Sequence, residues 1–146
     1  MKLSSPAFKN NEMIPQKYTC EGHDINPPLQ IDDLPEETKE LAIIVDDPDS
    51  KSGTWSHWLL YNIPVTPVIE EDTIPGSQGV NDFGKKHYGG PCPSSGKHRY
   101  FFKVFALQHT LALKEGLNAS DLKLALKGHI LDSAELVGMY EKKNKS

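Results

Sequence analysis

Apolar residues along this chain fall into short runs that predict β-strands. Residues 41–45 form a continuous aliphatic run between polar neighbours, a pattern typical of a central strand covered on both faces. Residues 56–63 are rich in aromatic and aliphatic side chains and stop at Pro64, which also favours a strand. Residues 99–107 are apolar at both alternating sets of positions, with Lys103 as the one interior charge. The pattern therefore predicts three central strands.

One segment near the C-terminal end has a helical period instead. Leu122, Leu126 and Ile130 recur every four residues, as expected for the apolar face of a helix. Either Asn118 or Ser120 is suited to cap the start of that helix. The sequence thus predicts one amphipathic helix beside the strands.

Turns separate these elements at Pro-Gly and Gly-Pro steps, since glycine reaches positive φ and proline fixes φ near about −65°. Residues 136–140 fit either a further strand or a last helical turn. Many strands joined by such turns indicate an antiparallel β-sandwich rather than alternating βαβ units. The 146 residues suit one domain, residues 1–146, and no internal repeat or interdomain linker divides them.

Charge and cysteine content narrow the class of protein. The net charge of −4 makes the whole molecule repel nucleic acid and anionic lipid, so we expect neither a nucleic-acid partner nor stable membrane association. No apolar stretch has the length of a signal peptide or a membrane span, which predicts a cytoplasmic protein. Cys20 and Cys92 are too few for a disulfide scaffold, and a reducing compartment predicts free thiols, although a single bridge between them stays open.

Carboxylates follow the first predicted strand. Asp46, Asp47 and Asp49 flank Pro48, and a carboxylate-rich turn is the simplest interpretation. Three carboxylates exceed what a turn requires. We therefore expect Asp47 or Asp49 to point inward and orient a histidine.

Two histidines stand at the starts of predicted strands. His57 lies between Trp55 and Trp58, where a lone histidine is more often a core residue, and His98 follows a Gly- and Pro-rich loop over residues 89–96. An imidazole with an ordinary pKa near about 6.5 is protonated near neutral pH when a carboxylate lies beside it. The glycines of the loop allow an anion close to main-chain N–H groups. Together these features favour a site for a small anionic ligand.

These motifs carry a resemblance to a known family. The chain resembles the phosphatidylethanolamine-binding proteins, also called Raf kinase inhibitor-like proteins, in Asp47-Pro48-Asp49, Trp55-x-His57, and Gly90-Pro91 followed by His98-Arg99-Tyr100. Its opening residues 4–8, the loop at residues 81–84 and residues 128–138 are similar to the bacterial and archaeal branch. The matching motifs occur in order over nearly the whole chain.

The resemblance implies a fold, a pocket and a role. The fold is a mainly β, Greek-key antiparallel sandwich with a few peripheral helices. The pocket is expected to bind phosphate, phosphoethanolamine or another phosphorylated ligand, and relatives of this branch suggest a homodimer. From the residues themselves we expect a non-catalytic binding protein without a cofactor or metal. By motif position the pocket comprises Asp47, His57, Gly90, His98 and Tyr100, with Asp49, Trp55 and Pro91 as supporting wall.

Two alternatives remain open at this stage. The family includes inhibitors of kinases and serine proteases, so the chain is alternatively a regulator that docks on a protein partner. A metal-dependent hydrolase is less favoured, because one aspartate and two histidines can bind zinc but no HExxH motif is present. His109 and His129 are assigned to structure, with His129 near the end of the predicted helix.

Overall fold

The protein is built almost entirely from β-strands. A computed structural model describes residues 1–143 and contains nine strands, one α-helix and one short 3-10 helix in that part of the chain. The strands are β1 (Lys2–Ser4), β2 (Glu12–Met13), β3 (Leu29–Asp32), β4 (Glu40–Asp47), β5 (Trp55–Ile63), β6 (Val68–Ile69), β7 (Ser77–Gln78), β8 (His98–Leu107) and β9 (Ile130–Tyr140). The helix α1 spans Ala119–Leu126, and the 3-10 helix spans Gln16–Tyr18.

The strands form two sheets, and the larger one has Greek-key topology. Its order is β2-β9-β8-β4-β5-β7, while β1, β3 and β6 make a smaller sheet in the order β1-β3-β6. Strands β4, β5 and β7 pair in succession, and β8 then returns to the other side of β4. The resulting spatial order β8-β4-β5-β7, antiparallel throughout, is that of a Greek key. The predicted mainly β fold is confirmed.

Strand β4 is the centre of the molecule because both of its faces are covered. All eight of its residues are buried. Leu41, Ile43 and Val45 face a core shared with the smaller sheet, whereas Ala42 and Ile44 face a second core under α1. This explains the continuous apolar run in the sequence, since a strand covered on both sides has no solvent face to alternate with.

The helix is shorter than its apolar spacing suggests. Asn118 caps it, its side chain accepting a hydrogen bond from the N–H of Asp121 at 2.8 Å, and Leu122 and Leu126 are buried. Ile130 does not belong to the helix: Gly128 turns the chain at a φ of 85°, and Ile130 begins β9 with 42 % of its surface exposed. A glycine at positive φ ends helices because it bears no Cβ. Residues 136–140 are therefore strand.

A few peripheral helices were expected. Within residues 1–143 the structure has these two short helical segments. Neither has the length or the apolar composition that a helix needs to cross a bilayer, and the same holds throughout the described chain.

Candidate functional site

The candidate site forms where three neighbouring strands of the large sheet meet. Because β4 is antiparallel to both β5 and β8, its last residue, Asp47, lies beside the first residues of those two strands. Trp55 and His57 are at the start of β5, and His98 and Tyr100 are at the start of β8. Antiparallel pairing thus brings together five side chains from three distant parts of the sequence.

A β-bulge sets the position of His57. Val45 pairs with Trp58, but the next residue of β4, Asp46, pairs with Ser56, so His57 is an extra residue in β5. A bulge of this kind bends the strand and changes the direction of the side chain that it carries. The His57 ring lies edge-on to Tyr100 and to Phe83, each at a centroid distance of 5.2 Å.

The carboxylate that was expected to orient a histidine is Asp47, and its partner is His98. Oδ2 of Asp47 lies 2.7 Å from Nδ1 of His98. The other ring nitrogen, Nε2, lies 3.1 Å from the carbonyl oxygen of Ser95. Both neighbours of the ring are acceptors, so an imidazolium satisfies both with N–H donors. The main-chain N–H of Asp49 donates to Asp47 Oδ1 at 2.7 Å.

His57 has a different electrostatic environment. Its Nδ1 lies 2.7 Å from the carbonyl oxygen of Gly89, and its side chain is buried. Burial lowers the pKa of His57 below its ordinary value, and the Gly89 carbonyl and the charge of Asp47 only partly oppose that effect. The ring is therefore neutral at pH 7. With its proton on Nδ1, Nε2 is left as a hydrogen-bond acceptor.

Tyr100 contributes a buried hydroxyl. Its ring is fully buried, and within residues 1–143 its Oη has no hydrogen-bond partner of normal geometry. Burial first, and then the charge of Asp47, raise the pKa of Tyr100 well above its ordinary value, and the nearby main-chain N–H of Cys92 only partly opposes them. The group is therefore a neutral O–H donor. A buried polar atom without a partner is costly, and such atoms frequently mark places where a ligand or water binds.

These residues surround an open cavity of about 270 Å³. Asp47, Trp55, His57, His98 and Tyr100, five of the eight residues that the resemblance places at the pocket, all line it. The remaining lining residues are Ser50, Lys51, Ser52, Phe83, Cys92, Pro93 and Ser94. The cavity therefore combines a cation and several hydroxyls at its mouth with a carboxylate and imidazoles at its base.

Comparison with known proteins assigns the chain. The family model described as phosphatidylethanolamine-binding protein matches residues 4–141. The chain belongs to the phosphatidylethanolamine-binding protein family. A UPF0098 protein of Pyrococcus horikoshii is 51 % identical over 154 residues, covering 98 % of this chain and 77 % of the relative. A UPF0098 protein of Methanothermobacter thermautotrophicus is 43 % identical over 97 % of this chain and 99 % of its own length.

Solved structures agree with that assignment. The crystal structure of a phosphatidylethanolamine-binding protein homologue from Chlamydia trachomatis is similar with a TM-score of 0.93, at 42 % identity and 97 % coverage of both chains. The crystal structure of E. coli YbcL, described as a member of the mammalian phosphatidylethanolamine-binding protein family, gives a TM-score of 0.90 at 30 % identity, covering 97 % of this chain and 98 % of that one. Membership in this family and its fold support a binding role.

In this phosphatidylethanolamine-binding protein family member, Gly90 does not line the cavity at Asp47. Its N–H donates to Oδ1 of Asp24 at 2.7 Å, so this amide has a partner within the protein. A Cβ at Gly90 would contact the carbonyl oxygen of Tyr18 and Oδ1 of Asp24, which explains why glycine is needed here. Gly90 instead lines an adjoining cavity of about 230 Å³ together with Phe83 and Cys92.

Asp49 and Pro91 also lie outside the larger cavity. Asp49 forms a two-point ion pair with Arg99, whose Nε and Nη2 donate at 2.9 and 2.8 Å. Those bonds lower the pKa of Asp49 to about 2. The carbonyl oxygen of Pro91 accepts the N–H of Cys20 at 3.2 Å. Both residues therefore make contacts beside the cavity and are not part of its lining.

The prediction of free thiols was wrong. Cys20 and Cys92 form a disulfide across 72 residues of sequence. The hydrogen bond between Cys20 and Pro91 holds the two backbones side by side, which brings the cysteines within bonding range. Cys92 lines both cavities, so the disulfide fastens the pocket wall to the segment after the 3-10 helix.

Sequence reasoning missed Lys51 and Phe83. Lys51 lies in the loop between β4 and β5, and Phe83 in the long connection before β8; neither follows a strand period. The one feature of the sequence that could have indicated Lys51 as a pocket residue was its position four residues after Asp47. Within residues 1–143, no group of three or more His, Cys, Asp or Glu side chains is arranged to hold a metal ion.

Proposed function

We propose that this protein is a non-catalytic binding protein whose pocket at Asp47 and Tyr100 takes a small anion, such as phosphate, phosphoethanolamine or another phosphorylated compound. The observation that carries the proposal is the buried Tyr100 hydroxyl, which lines the cavity and, within residues 1–143, has no hydrogen-bond partner of normal geometry to accept its proton. A ligand oxygen that accepts from this hydroxyl would remove the cost of leaving it unpaired.

The electrostatics of the pocket favour a ligand that both accepts and donates hydrogen bonds. Lys51 at the mouth and the Tyr100 O–H offer donors to an anion, and Lys51 adds charge assistance. His57 offers an acceptor at Nε2, and both nitrogens of His98 already have partners. In this proposal the donors to the anion are therefore Lys51 and the Tyr100 hydroxyl rather than the histidines. A phosphate monoester that carries an ammonium group or a proton can accept hydrogen bonds from Lys51 and Tyr100 and donate one to His57.

The proposal includes no catalytic step. A serine nucleophile is activated by an adjacent general base, most often a histidine. Among residues 1–143, the histidine beside the serine-containing loop, His98, contacts only the main-chain oxygen of Ser95 there. The serines at the mouth are therefore suited to binding.

Calorimetry with inorganic phosphate and with O-phosphoethanolamine tests the proposal. Tyr100→Phe removes one oxygen and keeps the ring, so we expect about a tenfold loss of affinity, the value of one neutral hydrogen bond. Tyr140→Phe is the matched control. Its hydroxyl donates to Glu21 over 2.6 Å, and this contact is not in the pocket. Absence of binding by the wild-type protein, or equal affinity for wild type and Tyr100→Phe, would contradict the proposed ligand class.

Docking on a kinase or a serine protease is the second candidate. Phe83 supports it, because this aromatic ring is 43 % exposed and stands between the two adjoining cavities. Exposed aromatic rings are common anchors in protein interfaces. Inhibition assays with wild type and Phe83→Ala test this role, and an inhibitory activity that is the same in both would remove Phe83 from it.

Cytoplasmic location also belongs to the proposal. Disulfides persist mainly in oxidising compartments, so the bond between Cys20 and Cys92 is the observation that argues against a cytoplasmic location. Cell fractionation with rapid thiol trapping answers it: recovery of the protein in the cytoplasmic fraction supports the proposal, and recovery outside that fraction contradicts it.

A further inference from the structure

Two histidines that the pocket does not use face each other at the end of α1. His109 lies two residues beyond β8, and His129 lies between α1 and β9. Their Nδ1 atoms are 3.1 Å apart, and their rings are nearly perpendicular, with a centroid distance of 5.2 Å. Main-chain bonds fix the approach: the N–H of Gln108 donates to the His129 carbonyl at 2.9 Å.

The contact requires that at least one of the two nitrogens carries a lone pair. One Nδ1–H can donate to the other Nδ1 only if that second nitrogen is deprotonated. The pair is also accessible, because His109 is exposed and His129 is half-buried. At the surface, a nitrogen with a free lone pair therefore lies directly beside the ring nitrogen of the other histidine, and no carboxylate separates the two.

The separation of the two nitrogens suits bidentate metal binding. Imidazole nitrogens bind zinc at about 2.0–2.1 Å, so two of them are about 3.3–3.4 Å apart at a tetrahedral angle and about 2.9 Å apart at a right angle. The observed 3.1 Å lies between these values. To bind a common metal ion at a tetrahedral angle, each Nδ1 lone pair must turn by about 35° from the line between the two nitrogens.

We propose that His109 and His129 form a surface site for one divalent transition-metal ion, with water completing the coordination. Zinc, nickel and copper are the ions that imidazole ligands favour, whereas magnesium and calcium prefer oxygen. Residues 1–143 bring no third His, Cys, Asp or Glu to the pair, so the site is open and binds more weakly than a closed four-ligand centre. The bound ion would join the end of β8 to the junction of α1 and β9.

Isothermal titration with zinc chloride tests the site. We expect one zinc ion per chain for the wild type, and at least a tenfold loss of affinity in both His109→Ala and His129→Ala. His23→Ala and His87→Ala are matched controls, since both are exposed histidines in loops, and their zinc affinity should equal that of the wild type. Wild-type affinity in His109→Ala, or loss of binding only in a pocket variant such as His98→Ala, would overturn the proposal.

A spectroscopic readout separates ligation from folding. Copper(II) bound to the wild type should show electron paramagnetic resonance couplings to two imidazole nitrogens, and His109→Ala should show at most one. Because His109 lies in an exposed loop, this variant tests the proposal even if His129→Ala fails to fold. A copper spectrum that is identical in wild type and His109→Ala would refute the two-histidine assignment.

Discussion

Oδ2 of Asp47 lies 2.7 Å from Nδ1 of His98, and this buried pair joins the end of β4 to the start of β8. Removing one member of this buried hydrogen-bonded pair leaves the other without its partner, and an unpaired buried polar group costs about 1–3 kcal/mol. The pair therefore holds two walls of the pocket together, and its loss should be visible in stability as well as in binding.

We predict that Asp47→Asn lowers the free energy of unfolding by about 2 kcal/mol in urea titrations, because it weakens the buried hydrogen bond to His98. Asp49→Asn is the matched control on the same turn: its partner Arg99 is exposed, so a change of about 1 kcal/mol or less is expected. A double-mutant cycle of Asp47→Asn with His98→Gln should give a coupling above about 1 kcal/mol. Strict additivity would show that the two side chains do not interact.

The neutral state of His57 predicts a pH dependence of stability. Its pKa in the folded protein is below the ordinary value, so on acidification the unfolded chain takes up a proton before the folded one does. The stabilising contribution is complete above about pH 6.5 and is lost as the pH falls below that value.

His57→Gln removes this titration. The free energy of unfolding of the wild type should fall more steeply between about pH 6.5 and 5 than that of the variant, by at most about 1.4 kcal/mol per pH unit for one proton. Equal slopes for the two proteins in chemical denaturation would mean that His57 is freely protonated in the fold.

The disulfide should contribute strongly to stability, because it closes a long loop. For the 72-residue separation of Cys20 and Cys92, the loop-entropy relation gives about 4 kcal/mol. We expect a Cys20→Ser/Cys92→Ser protein to lose about this much free energy of unfolding. Dithiothreitol should lower the stability of the wild type and leave that of the double variant unchanged. Equal stability of wild type and variant in the absence of reductant would be the contrary result.

Two glycines on one loop separate steric contact from backbone strain. Alanine at Gly90 meets the Tyr18 carbonyl and the Asp24 carboxylate, so Gly90→Ala should cost about 3 kcal/mol. Gly96 has a φ of 71° and open space around it, so Gly96→Ala should cost only about 1 kcal/mol of strain. Thermal and urea unfolding of both variants measures the two losses of stability. A larger loss in Gly96→Ala than in Gly90→Ala would contradict the prediction.

Local pattern was sufficient to predict the strands whose burial is uniform. β4 is buried on both faces, and its continuous aliphatic run could be recognised as a strand for that reason. β9 was harder, because it alternates weakly and several of its residues are half-buried. Ile130 was misassigned to the helix since its spacing matches a helical face, whereas the turn at Gly128 decides the outcome.

Long-range pairings in the pocket were beyond the sequence pattern. Asp47, His57, His98 and Tyr100 stand at strand ends and were found as motif positions. The bond from Gly90 to Asp24 joins residues 66 apart, and the disulfide joins residues 72 apart. Such contacts depend on the register of whole sheets, which no short window of sequence encodes. The bulge that places His57 has the same origin.

The pairing of β8 with β9 determines when the edge of β8 becomes covered during synthesis of the chain. His98 lies opposite Tyr140 in that pairing, and Tyr100 lies opposite Gly138. Until residue 140 has left the ribosome, β8 lacks its outer neighbour and the strand that carries the pocket has an unpaired edge. Unpaired edges invite aggregation during synthesis. A chain halted before β9 would therefore expose the edge of the strand that carries His98 and Tyr100.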